Sequence, residues 1–134
     1  MVRFDTIFRV AYADTDQMGV MYHGAYARYL EVARVDCLRS LGIQYKEVEK
    51  MGIFLPVLEM NIKFLQPIFY DDLVRIEVSI NTLPRRSFCF DYQLFKDDVL
   101  VSTAKVILVC VSKETKKSMV APDFLLEALN PYFE

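Results

Sequence analysis

One long helical pattern stands among strand-like patterns, and this arrangement limits the fold more than any other feature of the chain. Between residues 24 and 41, Tyr26, Tyr29, Leu30, Ala33, Cys37, Leu38 and Leu41 recur at three- and four-residue steps, and Gly42 follows as a stop. Before it, Phe4, Thr6, Phe8, Val10 and Tyr12 alternate with Arg3, Asp5, Ile7 and Arg9, the period of a half-buried strand. After it comes a short helical piece from Gln44 to Met51, ended by Gly52. Four strand-like runs follow. Residues 53–66 set Leu58, Met60, Ile62 and Phe64 against Glu59, Asn61 and Lys63, and residues 72–80 carry Val74, Ile76, Val78 and Ile80 on one face. Residues 86–96 do the same with Phe88, Phe90, Tyr92 and Leu94. The run from Val99 to Val111 ends in VILVCV, apolar on both faces as in a central or interface strand.

The breaks are turn-like at Gln66-Pro67, Leu83-Pro84 and Asp97-Asp98, the last short enough for a hairpin. A last helix is expected from near Pro122 to before Pro131. The order predicts an α+β, two-layer domain over residues 1–134. An antiparallel meander of about five strands should wrap one long helix, whose circumference reads as largely apolar.

Composition excludes several classes. A chain of 134 residues with 54% hydrophobic and 25% charged residues has the make-up of one globular domain. A net charge of −2 gives no general pull toward nucleic acid. No apolar run approaches the ~20 residues of a membrane helix. The start, MVRFDTIFRVAY, is too interrupted by charge for a signal peptide. Cys37, Cys89 and Cys110 are odd in number and lack metal or redox spacing, so free thiols in a reducing, cytoplasmic setting are expected.

Chemistry concentrates in ADTDQMGVMYHGAY, residues 13–26, which holds Asp14, Asp16, Gly19 and the only histidine, His23. A calcium loop fails because Met18 and Ala25 occupy its fifth and twelfth positions. Phosphoryl transfer lacks its further acidic ligands and a parallel framework. A metal held by Asp14, Asp16 and His23 has no second shell in sight. Two readings stay open. The loop is a turn, with Asp14 forming an Asx turn and Gly19 supplying positive φ. Alternatively, it brings a carboxylate to the N-terminus of the long helix, where unpaired N–H groups would polarise a carbonyl as in an oxyanion hole.

DTDQMGVMYHGAYARYLEVAR resembles the signature of the hotdog-fold acyl-CoA thioesterases of the 4-hydroxybenzoyl-CoA thioesterase class. It is most similar to the bacterial branch associated with the Tol–Pal gene cluster. The likeness continues through Pro67, Asp71-Asp72, Arg85-Arg86-Ser87-Phe88 and the strand near Val109. It implies the hotdog fold and hydrolysis of an acyl-CoA, or acyl carrier protein, thioester. Asp16 would be the catalytic carboxylate, as nucleophile or as base for water. His23 would hold the thioester oxygen through its backbone N–H. Tyr22 and Tyr26 would flank the reacting group, and Glu31 would lie near the acyl pocket unless it pairs with Arg28 or Arg34 on the helix surface. Arg85, Arg86 and Ser87 would contact coenzyme A, the arginines through phosphate, against the alternative of a solvated strand edge. No metal and no cofactor beyond the substrate's coenzyme A is implied. Homodimers or homotetramers are, with active sites between subunits. A non-catalytic acyl-thioester binder and a dehydratase are the rival functions on this fold.

Overall fold

A computed structural model describes residues 1–134. Strand β1 (Val2–Arg9) leads through the loop to helix α1 (Tyr26–Ser40) and short helix α2 (Tyr45–Lys50). Strands β2 (Ile53–Phe54), β3 (Val57–Phe64), β4 (Leu73–Ile80), β5 (Ser87–Lys96), β6 (Val99–Val109) and β7 (Val111–Ser112) follow, and α3 (Asp123–Leu129) ends the chain. The main sheet is antiparallel and five-stranded, in the order β1-β4-β5-β6-β3, and α1 lies across its inner face. The α+β class, the strand count and the single long helix are as expected.

The alternation fixes which faces are buried. Val74, Ile76, Val78 and Ile80 of β4 join Phe88, Phe90, Tyr92 and Leu94 of β5 in the core, each under 3% exposed. The β5–β6 hairpin turns at Asp97-Asp98, with φ of 49° and 62°, the doubly left-handed pair that suits a two-residue connection.

Three expectations are corrected. The meander holds only for β4, β5 and β6. Strand β3 crosses to the far side and pairs with β6, and residues 68–72 bond to the end of β1 and its following loop rather than making a hairpin. The run 53–66 is also two strands: β2 leaves the main sheet to pair with β7. Finally, α1 is not apolar all round. Tyr26, Tyr29, Leu30, Ala33, Cys37 and Leu38 form one buried stripe, while Arg28, Glu31, Val32 and Arg39 are exposed. Because α1 packs toward the β1–β4 side, the edge strand β3 is poorly covered: Met60 is 37% and Phe64 54% exposed, although Tyr26 touches Phe64, and Leu58, at the bulge between Val57 and Glu59, is 65% exposed.

Candidate functional site

The loop after β1 is a small hairpin. The Asp16 N–H donates to the Val20 carbonyl at 2.9 Å and the Tyr22 N–H to the Asp14 carbonyl at 2.7 Å, around the bridge between Thr15 and Met21. Residues 68–70 add a third edge: the Met21 N–H reaches the Ile68 carbonyl at 2.6 Å, and the Tyr70 N–H reaches that of Gly19 at 3.2 Å. Gly19 has the expected positive φ, +79°.

The Asx turn expected of Asp14 is made by its neighbour. Asp16, not Asp14, forms the Asx turn: its Oδ1 accepts the Met18 N–H at 2.8 Å, and its Oδ2 has no partner. Asp14 instead reaches across to α1, accepting from the Arg28 guanidinium and the Tyr29 hydroxyl. Those two hydrogen bonds hold its carboxyl below the usual aspartate range. His23, Asp14 and Asp16 do not gather as metal ligands, and no group of three His, Cys, Asp or Glu side chains does so elsewhere.

The entry to α1 is a tight 3-10 turn over His23–Ala25. The Ala25 N–H is used by the Tyr22 carbonyl at 2.9 Å, whereas the N–H groups of His23 and Gly24 have no acceptor in the chain. Two unpaired donors therefore sit at the positive end of the long helix. The Tyr22 ring lies over this turn, 4.3 Å from the His23 ring. Gly24 makes room for it, since a Cβ there would stand 2.4 Å from Tyr22 Cε2. The His23 imidazole is exposed and hydrogen-bonds to nothing. Tyr26 is buried edge-on against Phe64 at 4.8 Å, and burial pushes its phenol up, so it stays neutral.

Glu31 is exposed on α1 and makes no ion pair, because Arg28 is taken by Asp14 and Arg34 turns inward to the Tyr92 hydroxyl. Arg85, Arg86 and Ser87 are exposed at the start of β5, where Ser87 faces Val109. The Asp16 hairpin adjoins the opposite end of the sheet, where Arg9 faces Leu73 and Lys96 faces Val99. A strand the length of β5 spans about 30 Å. Within one chain, Asp16 and the arginine pair are thus two separate places.

The arginine pair also has neighbours that the sequence reading passed over. Arg86 Nη1 approaches the Ser118 carbonyl at 3.5 Å, and Ser118 bridges Val111, so the turn holding Lys113, Lys116 and Lys117 returns beside it. KETKK is visible as a basic run, but its proximity to Arg86 comes only from the pairing of β7. A concavity of about 670 Å³ lies elsewhere, on the outer sheet face among Arg3, Glu59, Lys63, Glu77, Asp91 and Lys105. It does not touch the Asp16 hairpin.

Residues 10–129 match the family model of the Thioesterase-like superfamily. The acyl-CoA thioesterase YbgC of Haemophilus influenzae is 30% identical over 115 residues, covering 85% of each chain. A 1,4-dihydroxy-2-naphthoyl-CoA hydrolase of Microcystis aeruginosa is 28% identical over 114 residues, covering 84% of this chain and 83% of the relative. Among solved structures, the DHNA-CoA thioesterase of Staphylococcus aureus superposes with a TM-score of 0.88 at 33% identity, over 100% of this chain and 97% of its own. The five-stranded sheet with its long inner helix is the hotdog fold, and the chain belongs to the Thioesterase-like superfamily, a family of thioester hydrolases of the 4-hydroxybenzoyl-CoA thioesterase type.

Proposed function

We propose that the protein is a cytoplasmic acyl-CoA thioesterase in which Asp16 and the first turn of α1 form the reacting centre. One observation carries the reading. A carboxylate with a free oxygen, Asp16, sits on a hairpin whose return strand leads directly into the start of a long helix, where the His23 and Gly24 N–H groups have no acceptor. Those donors would receive the thioester oxygen and stabilise the charge it gains on attack. Asp16 then acts in one of two ways. As nucleophile it bonds to the carbonyl carbon, the C–S bond breaks, the departing sulfur takes a proton from solvent, and water hydrolyses the anhydride. As base it removes a proton from the water that attacks. Tyr22 and Tyr26 would wall the reacting group, and Glu31, unpaired on α1, would face the acyl pocket. The reaction needs no cofactor beyond the coenzyme A of the substrate and no metal.

The separation of Asp16 from Arg85, Arg86 and Ser87 supports a homodimer. An antiparallel two-fold pairing of edge strands β3 would bury Leu58, Met60 and Phe64. It would also set one copy's basic end beside the other copy's Asp16 hairpin. Coenzyme A would then be held by the second copy's arginines through its phosphates. Further pairing into a tetramer would join such dimers. A place in the Tol–Pal-associated branch is part of this proposal, supported by the similarity to YbgC relatives.

Thiol release from a panel of aryl- and alkyl-CoA thioesters, with Asp16→Asn beside the parent protein, tests the reading. Loss of carboxylate function should lower kcat by at least ~100-fold. Undiminished release in the variant would remove Asp16 from its role, and saturable binding without turnover in the parent would favour the non-catalytic binder. Higher kcat/KM with acyl carrier protein thioesters than with the matching CoA thioesters would move the substrate assignment to the carrier protein.

A further inference from the structure

Asp14 lies at the meeting point of three parts of the molecule. Its carbonyl accepts the N–H of Tyr22, the residue immediately before the donor peptides of His23 and Gly24. Its side chain, only 12% exposed, accepts from Arg28 and Tyr29 in the first turns of α1. Tyr29 is itself fixed, stacked on Phe8 of β1 at 3.8 Å with an interplanar angle of 19°. The Arg28 guanidinium lies over the Tyr29 ring at 4.4 Å. None of this is needed to turn the loop, since the Asx turn and the glycine are supplied by Asp16 and Gly19.

We propose that Asp14 is a positioning residue that sets the distance between the Asp16 carboxylate and the helix-end donors by clamping the hairpin to Arg28 and Tyr29. The proposal rests on the thioesterase reading, in which these two groups act on one carbonyl. Asp14 touches neither substrate nor reacting atoms. Its carboxylate ties α1 down on one side, while its carbonyl holds the Tyr22 N–H on the other, two residues before Asp16 in the same hairpin. A charge-assisted pair is suited to this, being shorter and more directional than a neutral hydrogen bond. Misplacement by about 1 Å is enough to lower a rate ~100-fold, so slack in the clamp reaches the chemistry.

The test uses the full chain with Tyr29→Phe, Asp14→Asn and the double variant. Tyr29→Phe keeps the stack on Phe8 and removes only the hydroxyl. Each single variant should lower kcat by about 10- to 100-fold with KM within about twofold, and amide hydrogen exchange should quicken across residues 15–22. The double variant should be no slower than Asp14→Asn alone, because the residues act as one unit. Retention of kcat in both single variants would overturn the proposal, as would multiplicative losses in the double variant. If Asp14→Asn does not fold, Tyr29→Phe and Arg28→Gln decide by the same readouts. If the parent hydrolyses no thioester, the thioesterase reading fails by itself. Hydrogen exchange then decides the clamp: faster exchange over 15–22 supports it, and unchanged exchange overturns it.

Discussion

Arg34 is the one charged side chain that the core encloses, at 4% exposure. It donates to the Tyr92 hydroxyl at 3.2 Å, its Nε has no partner, and no carboxylate lies within ion-pair distance. Such a cation is costly to desolvate, and removing it alone would strand the Tyr92 hydroxyl. Arg34→Met should therefore destabilise the protein by about 1–3 kcal/mol in urea titrations. Arg34→Met combined with Tyr92→Phe should return to parental stability or exceed it, because an apolar pair replaces a polar pair of similar shape. Asp14 makes the stability of the fold depend on pH. Its carboxyl titrates below the ordinary aspartate value when folded, so the charged form favours the folded state. Its contribution is complete above about pH 4 and is lost as pH falls through the lowered value. Melts of the parent and Asp14→Asn between pH 7 and pH 3 should differ most at the top of that range and converge toward the bottom.

At the scale of elements, the β5–β6 hairpin is well placed but imperfectly made. Both Asp97 and Asp98 hold positive φ, a conformation that costs an aspartate more than a glycine. Asp98→Gly should stabilise the fold by up to about 1 kcal/mol, seen as a higher denaturation midpoint with an unchanged slope. Strand β3 shows the opposite condition. Its ladder to β6 is regular from Glu59 to Phe64, yet all of its side chains except the half-buried Ile62 are exposed. An edge strand carrying Leu58, Met60 and Phe64 toward solvent is open to pairing with a second copy. Leu58→Lys should cost the single chain little, since that side chain is already 65% exposed. It should convert a dimer to monomers in size-exclusion chromatography with light scattering, and thioester hydrolysis should fall with it. A dimer of unchanged mass in that variant would exclude β3 as the contact.

The whole molecule separates its proposed chemistry from its proposed phosphate contacts. The Asp16 hairpin and the start of α1 occupy one end of the sheet, and Arg85, Arg86 and the Lys113–Lys117 turn occupy the other. One chain cannot bring these two places together, because the sheet lies between them. No helix of the chain is long and apolar enough to cross a membrane. The three thiols are free, and burial pushes Cys37 up to about 11, so the core cysteine stays protonated at neutral pH.

By itself, the sequence determined the element types, the buried faces of β4, β5 and α1, the hairpin at Asp97-Asp98 and the placing of a carboxylate loop ahead of a helix. Each is local: periods of two and 3.6, turn residues and helix ends act over a few residues, so the chain displays them directly. The crossing of β3 to β6, the departure of β2 to β7 and the inward turn of Arg34 were decided only in tertiary structure. So were the Asx turn falling to Asp16, the reach of Asp14 to α1 and the return of Lys113–Lys117 beside Arg86. These depend on which distant segment offers an acceptor or an uncovered face, and alternation along a strand carries no record of its neighbour. DTD was legible as an acidic loop leading into a helix. Which aspartate is bound to α1 was decided by the reach of Arg28 and Tyr29 from the helix beside it.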